Sequence, residues 1–163
     1  MLPNPVFWSK LRVNRKEIMD LDNWLGEISN CKRGSINGFD RPHQPATILW
    51  FVDRCSFDNE RLNLWADLKV PLNKSIQLRG GAGNCQSPLA VLTRSKILEI
   101  SGGEIPETGN AGVALKLFNA SNPSFGLPKN IWEICRSEPE KKEKVQKFLL
   151  NLLQIEDSST PNT

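Results

Sequence analysis

Ala46-Thr47-Ile48-Leu49-Trp50-Phe51-Val52 is a largely apolar run followed by Asp53-Arg54, and Leu89-Ala90-Val91-Leu92-Thr93 is a shorter one followed by Arg94. Neither alternates apolar with polar residues. A short, unbroken apolar run between turn-forming residues is the pattern of a strand buried on both faces. On that reading the two runs are neighbouring central strands, with Trp50 and Val91 side by side. The fold class that follows is α/β: a single layered domain with a small central sheet flanked by helices.

The rest of the chain supplies the flanks. Asn14-Arg15-Lys16-Glu17 has the form of a capping box, and Ile18, Leu21, Trp24, Leu25 and Ile28 follow at helical spacing. They predict an amphipathic helix over about 14–29. Gly34, Gly38, Pro42 and Pro45 mark residues 30–45 as a loop. Ser56 or Asp58 can cap a helix carrying Leu62, Trp65 and Leu68, which Pro71 and Asn73 would break. Ile76 and Leu78 alternate with Gln77 and Arg79, as in a short strand. A short helix fits 95–100, and the Gly- and Pro-rich stretch 101–112 reads as a loop. Helices are expected over Val113–Phe118 and over Lys129–Arg136, the latter with Ile131, Trp132 and Cys135 inward. The mixed-charge run Glu138–Lys144 opens a further helix from about Lys141. Residues 148–155 fit helix or strand equally well. One domain over 1–155 and a polar tail over 156–163 complete the expected organisation.

Composition narrows the function classes. The chain has 163 residues and a formal net charge of +3. That mild excess of positive charge is compatible with an acidic partner or nucleic acid without arguing for either. No stretch is long and apolar enough for a membrane helix, and Met1 opens no signal-peptide pattern. The four cysteines, 31, 55, 85 and 135, are widely spaced. They read as reduced thiols in a cytoplasmic protein. With His43 the single imidazole and no close ligand pair, no metal site and no cofactor are expected.

Several residues could carry chemistry. Gly80-Gly81-Ala82-Gly83-Asn84 could bring backbone N–H groups to a phosphate. It lacks the last glycine of a dinucleotide loop and the Lys-Ser/Thr of a P-loop, so a plain surface loop is the simpler reading. Asp53 with Glu60 or Asp67 could begin a metal-dependent nuclease site. Gln77 and Arg79 then stand where an anionic ligand and a lysine would be needed. His43 lies between two prolines with no evident nucleophile and reads as polar surface. Trp24, Trp50, Trp65 and Trp132 read as core, leaving Trp8 as the tryptophan that could stack on a base. If the two apolar runs are parallel strands, Arg54 and Arg94 emerge on one sheet edge. With Arg79, Gly81, Gly83 and Asn84 they would form an edge that binds an anion or a partner.

Five segments, read in order, resemble the C-terminal domain of the vWA–MoxR-associated proteins. These are Ile48 to Arg54; Arg61-Leu62-Asn63-Leu64-Trp65; Pro88 to Arg94; Leu127-Pro128-Lys129-Asn130-Ile131-Trp132-Glu133-Ile134-Cys135-Arg136; and Leu152 to Asp157 with Pro161. The resemblance implies a non-enzymatic adaptor domain of a bacterial defence or signalling system, with a protein partner and no catalytic residues. The alternatives are a metal-dependent nuclease-like domain or a nucleic-acid-binding subunit of a larger complex.

Overall fold

Both apolar runs are helices. The computed structural model describes residues 20–33, 43–80, 84–105 and 111–159. Within them lie seven helices and one small sheet: α1 (Leu21–Arg33), α2 (His43–Asp53), β1 (Asn63–Leu64), α3 (Trp65–Leu78), α4 (Gln86–Arg94), β2 (Glu99–Ser101), α5 (Ala111–Ser121), β3 (Ser124–Gly126), α6 (Lys129–Ser137) and α7 (Pro139–Ser159). A mostly helical α/β domain with a three-stranded antiparallel sheet fits the expected fold class. The expected central strands at 46–52, 76–79 and 89–93 are corrected.

The physical reason lies in where α2 sits. It packs against α3, α4 and α7 at once, and seven of its residues are buried. A helix enclosed by neighbours is apolar all round, so its sequence shows no period. Pro45 falls in the first turn, where an N–H would have no intrahelical acceptor. The β-branched Thr47 and Thr93 are accommodated by donating their hydroxyls back to the carbonyls of His43 and Leu89, at 2.6 and 2.7 Å. Trp50 and Val91 are each half-buried on different helices, not adjacent in a sheet.

Other expectations shift for similar reasons. The N-terminal helix starts at Leu21, where Asp20 Oδ1 accepts the Asn23 N–H at 2.8 Å. Trp24, Leu25 and Ile28 are buried as expected; residues 14–19 lie outside the described residues. Helix α3 starts after β1 rather than at Ser56 or Asp58. Its first turn is capped from far along the chain, by Asn122 Oδ1 accepting the Ala66 N–H at 2.8 Å. It continues through Pro71, because Trp65, Leu68, Leu72 and Ile76 keep a buried stripe on both sides of that residue. The 95–100 segment is a turn leading into β2, and 148–155 is helix within α7.

The sheet order is β1-β3-β2, with Phe125 of β3 opposite both Asn63 and Ile100. Phe125 is fully buried and meets Phe118, which meets Trp65. Gly126 is required here: a Cβ would stand 2.2 Å from the Arg61 carbonyl oxygen. Arg61 ties the same edge, its Nη1 donating to Glu99 Oε2 at 2.6 Å and to the Leu127 carbonyl at 3.0 Å. One continuous core joins this sheet to α1–α7.

Candidate functional site

The sequence placed Arg54 and Arg94 on one edge of a sheet. The structure instead puts each at the C-terminal end of a helix, Arg54 just past α2 and Arg94 as the last residue of α4. A cation there complements the negative end of the helix dipole. Arg54 is half-buried, with its guanidinium carbon 4.9 Å from the Trp50 ring centroid. Its Nε is buried without a hydrogen-bond partner.

Arg79 and Asn84 are closer to one another. Arg79 is the exposed residue that ends α3, and Asn84 is exposed just before α4. Gly81 and Gly83, between them, lie outside the described residues. The start of α4 is held firmly against α3. The Cys85 N–H donates to Asn73 Oδ1 at 2.8 Å, and the Cys85 thiol points at the Lys69 carbonyl at 3.8 Å. Burial pushes the Cys85 thiol up to about 12, although the nearby Lys69 ammonium pulls the other way. No side chain caps α4. Its first turn therefore presents backbone N–H groups and the positive end of the dipole beside exposed Asn84 and Ser87. Lys69 and Arg79 bring positive charge to the same end. Val91, one turn past Ser87 on the same face, is half-buried.

The nuclease arrangement is not assembled. Asp53 Oδ1 accepts a hydrogen bond from Gln146 at 2.8 Å, and Asp67 sits in the first turn of α3. Among the described residues no three His, Cys, Asp or Glu side chains group as a metal-binding set. His43, expected in a loop, is the half-buried first residue of α2. Trp24, Trp65 and Trp132 are core, and Trp50 packs on the core's edge; Trp8 lies outside the described residues. The sequence reading passed over Lys69 and Ser87. Their signal was the Ser87-Pro88 pair, which opens a helix as readily as a strand.

The model of the ScoMcrA-like DNA sulfur-binding domain matches residues 22–157, most of the chain. The chain belongs to that family. The ScoMcrA-like fold is also seen in solved structures. The sulfur-binding domain of SprMcrA complexed with phosphorothioated DNA is similar with a TM-score of 0.66 and 21% identity, over 78% of this chain and 84% of that one. The sulfur-binding domain of ScoMcrA complexed with phosphorothioated DNA gives 0.67 and 19%, over 84% and 89%. The type IV phosphorothioation-dependent restriction endonuclease ScoMcrA gives 0.65 and 18%, over 78% of this chain but 29% of that longer one. At these identities the likeness establishes the fold. No curated protein matches the sequence.

Membership of the ScoMcrA-like family overturns the resemblance to the vWA–MoxR-associated proteins. The motifs behind that resemblance encode packing. In α6, Pro128 precedes the helix, Ile131, Trp132 and Cys135 face the core, and Arg136 sits in the last turn. Any short amphipathic helix can show that pattern.

Proposed function

We propose that this domain binds DNA as part of a bacterial restriction system, and that it prefers a backbone carrying a phosphorothioate. The family match over residues 22–157 is the observation that carries this reading. The sulfur-binding domains of SprMcrA and ScoMcrA, solved with phosphorothioated DNA, support it. A protein-adaptor role has no comparable support. Among the described residues no helix is long and apolar enough to cross a membrane.

The chemistry of the ligand suggests which face is used. A phosphorothioate keeps the negative charge of a phosphate but replaces one non-bridging oxygen with a larger, softer sulfur. Sulfur is a weak hydrogen-bond acceptor, so its recognition needs apolar contact alongside donors for the remaining oxygen. The open end of α4 offers both kinds of group. Its uncapped N–H groups, Asn84, Ser87, Lys69 and Arg79 suit the oxygen and the charge. Val91 supplies an apolar surface one turn away. Arg79 and Asn84, with Gly81 and Gly83 in the connection between them, therefore form the proposed phosphate-contact face. Arg54 and Arg94, at helix C-terminal ends, are better placed to complete their helices.

Fluorescence anisotropy with two duplexes of one sequence tests this, one of them carrying a single phosphorothioate linkage. Tighter binding to the sulfur-bearing duplex at matched salt is expected. Equal affinity for both would remove the preference, and no binding to either would remove the DNA reading.

A further inference from the structure

Two thiols lie together in the interior, away from the open end of α4. Cys55 follows the C-terminal end of α2, and its N–H donates to the Val52 carbonyl at 3.0 Å. Cys135 is on α6. Both are buried, at 3% and 1% exposure, and their side chains are hydrogen-bonded to one another. Independent contacts hold the two segments in register. The Arg136 guanidinium carbon lies 4.8 Å from the Phe57 ring centroid. Lys142 of α7 donates to the Cys55 carbonyl at 2.9 Å. Each cysteine is thus followed or preceded by an arginine stacked on an aromatic ring: Arg54 on Trp50 and Arg136 on Phe57.

We propose that Cys55 and Cys135 are a redox-active dithiol, and that their disulfide clamps the end of α2 to α6. This inference does not depend on the DNA reading. The surroundings make the two thiols unequal. Cys135 accepts the Cys55 S–H and feels the Lys142 ammonium, which holds it below the ordinary thiol value against the opposing effect of burial. Cys55 is pushed up by that same hydrogen bond and by burial. Cys135 is therefore the thiolate that attacks and Cys55 the thiol that resolves.

The oxidant is a small hydroperoxide, because burial of both sulfurs bars a bulky disulfide such as oxidised glutathione. The Cys135 thiolate attacks hydrogen peroxide: an S–O bond forms, the O–O bond breaks, and the departing hydroxide takes up a proton to leave as water. Cys55 sulfur then attacks the sulfenic acid. The S–S bond forms, the S–O bond breaks, and the hydroxide leaves as water with the Cys55 proton. Two thiols are oxidised by two electrons, one peroxide is reduced, and two waters are released. The new bond closes a long loop between α2 and α6, which restricts the unfolded chain.

The test uses the full chain, fully reduced, treated with hydrogen peroxide in its native state. Remaining thiols are alkylated under denaturing conditions and peptides are mapped by mass spectrometry. A linked pair containing Cys55 and Cys135 is expected, lost on reduction and accompanied by a higher melting temperature. Oxidised glutathione should leave both cysteines unmodified. Cys55→Ser should leave a sulfenic acid on Cys135 that dimedone traps, whereas Cys135→Ser should leave Cys55 unreacted. Both cysteines remaining alkylatable after peroxide, links to Cys31 or Cys85 instead, or a linked protein that melts lower would each overturn the proposal.

Discussion

Ser87→Asp separates helix stability from ligand binding at the open end of α4. Ser87 is exposed in the first turn of a helix that no side chain caps. An aspartate there faces the positive end of the helix dipole and should raise stability by about 0.3–1 kcal/mol. The same carboxylate opposes a bound phosphate. At a separation of roughly 5 Å, two like charges repel by about 1 kcal/mol in a water-like dielectric and about 3 kcal/mol at the lower effective value near a protein surface. That corresponds to roughly a 5- to 150-fold loss of affinity. Ser87→Asn, which adds no charge, should lose far less. Thermal melting and anisotropy against the phosphorothioate duplex read the two effects on the same protein. A Ser87→Asp variant that melts at or above the parent temperature yet binds equally well would refute the assignment of the ligand to this face.

Gly126→Ala should destabilise the domain by about 1–3 kcal/mol or more, because the new methyl meets the Arg61 carbonyl at 2.2 Å and β1 must move; urea denaturation measures it. Leu89→Ala should cost about 2–5 kcal/mol, since Leu89 is fully buried in α4. The half-buried Val91 should cost about 1 kcal/mol or less as Val91→Ala, a contrast that two buried central strands would not give. Cys85 gives a pH signature. Its buried thiol rises from the ordinary 9.0 to about 12, so the folded state holds a proton that the unfolded state releases. Stability from this group is full below pH 9 and is lost as pH climbs toward 12. Cys85→Ala should flatten that part of the melting-temperature profile.

The elements legible in the sequence were those with a partly exposed helix face. In α6, Ile131, Trp132 and Cys135 alternate with exposed or half-exposed residues, so the 3.6 period is visible and the boundaries came out nearly right. In α2 the period is hidden because α3, α4 and α7 cover it on several sides. Threonine and valine then tilted the reading toward strand, although Thr47 and Thr93 bond within their own helices. Caps were illegible for a different reason. Asn122 caps α3 from more than fifty residues away, and Asn73 pins α4 from within α3. Local sequence contains no trace of such pairings. Asn73, read as a breaker, instead uses its side chain to hold another element.

The candidate face was half legible. Arg79 and Asn84 were found through the glycines between them, which mark a connection whatever it connects. What they flank was misjudged, because Ser87-Pro88 was read as leading into a strand. A strand would leave its N–H groups to a ladder partner, whereas a helix leaves its first turn unpaired and able to meet an anion. The change from strand to helix therefore moves the candidate site from the arginines after the apolar runs to the turn before one of them.

That location makes a prediction about salt. With a formal net charge of only +3, the domain gains limited long-range attraction for DNA. Lys69, Arg79 and the helix dipole contribute an electrostatic term, and affinity for any duplex should fall with a logarithmic salt slope of about −0.9 for each phosphate neutralised. Replacing oxygen by sulfur leaves the formal charge unchanged. If Val91 and the donors around Ser87 supply the preference, the affinity ratio between sulfur-bearing and ordinary duplexes should stay nearly constant between about 50 and 200 mM salt while both affinities drop. Val91→Ser should reduce the ratio without changing the slope, and Lys69→Ala should reduce the slope by about 1 without changing the ratio. A ratio that collapses with added salt in the parent protein would mean that the preference is electrostatic, and that the apolar contact proposed for Val91 does not select the ligand.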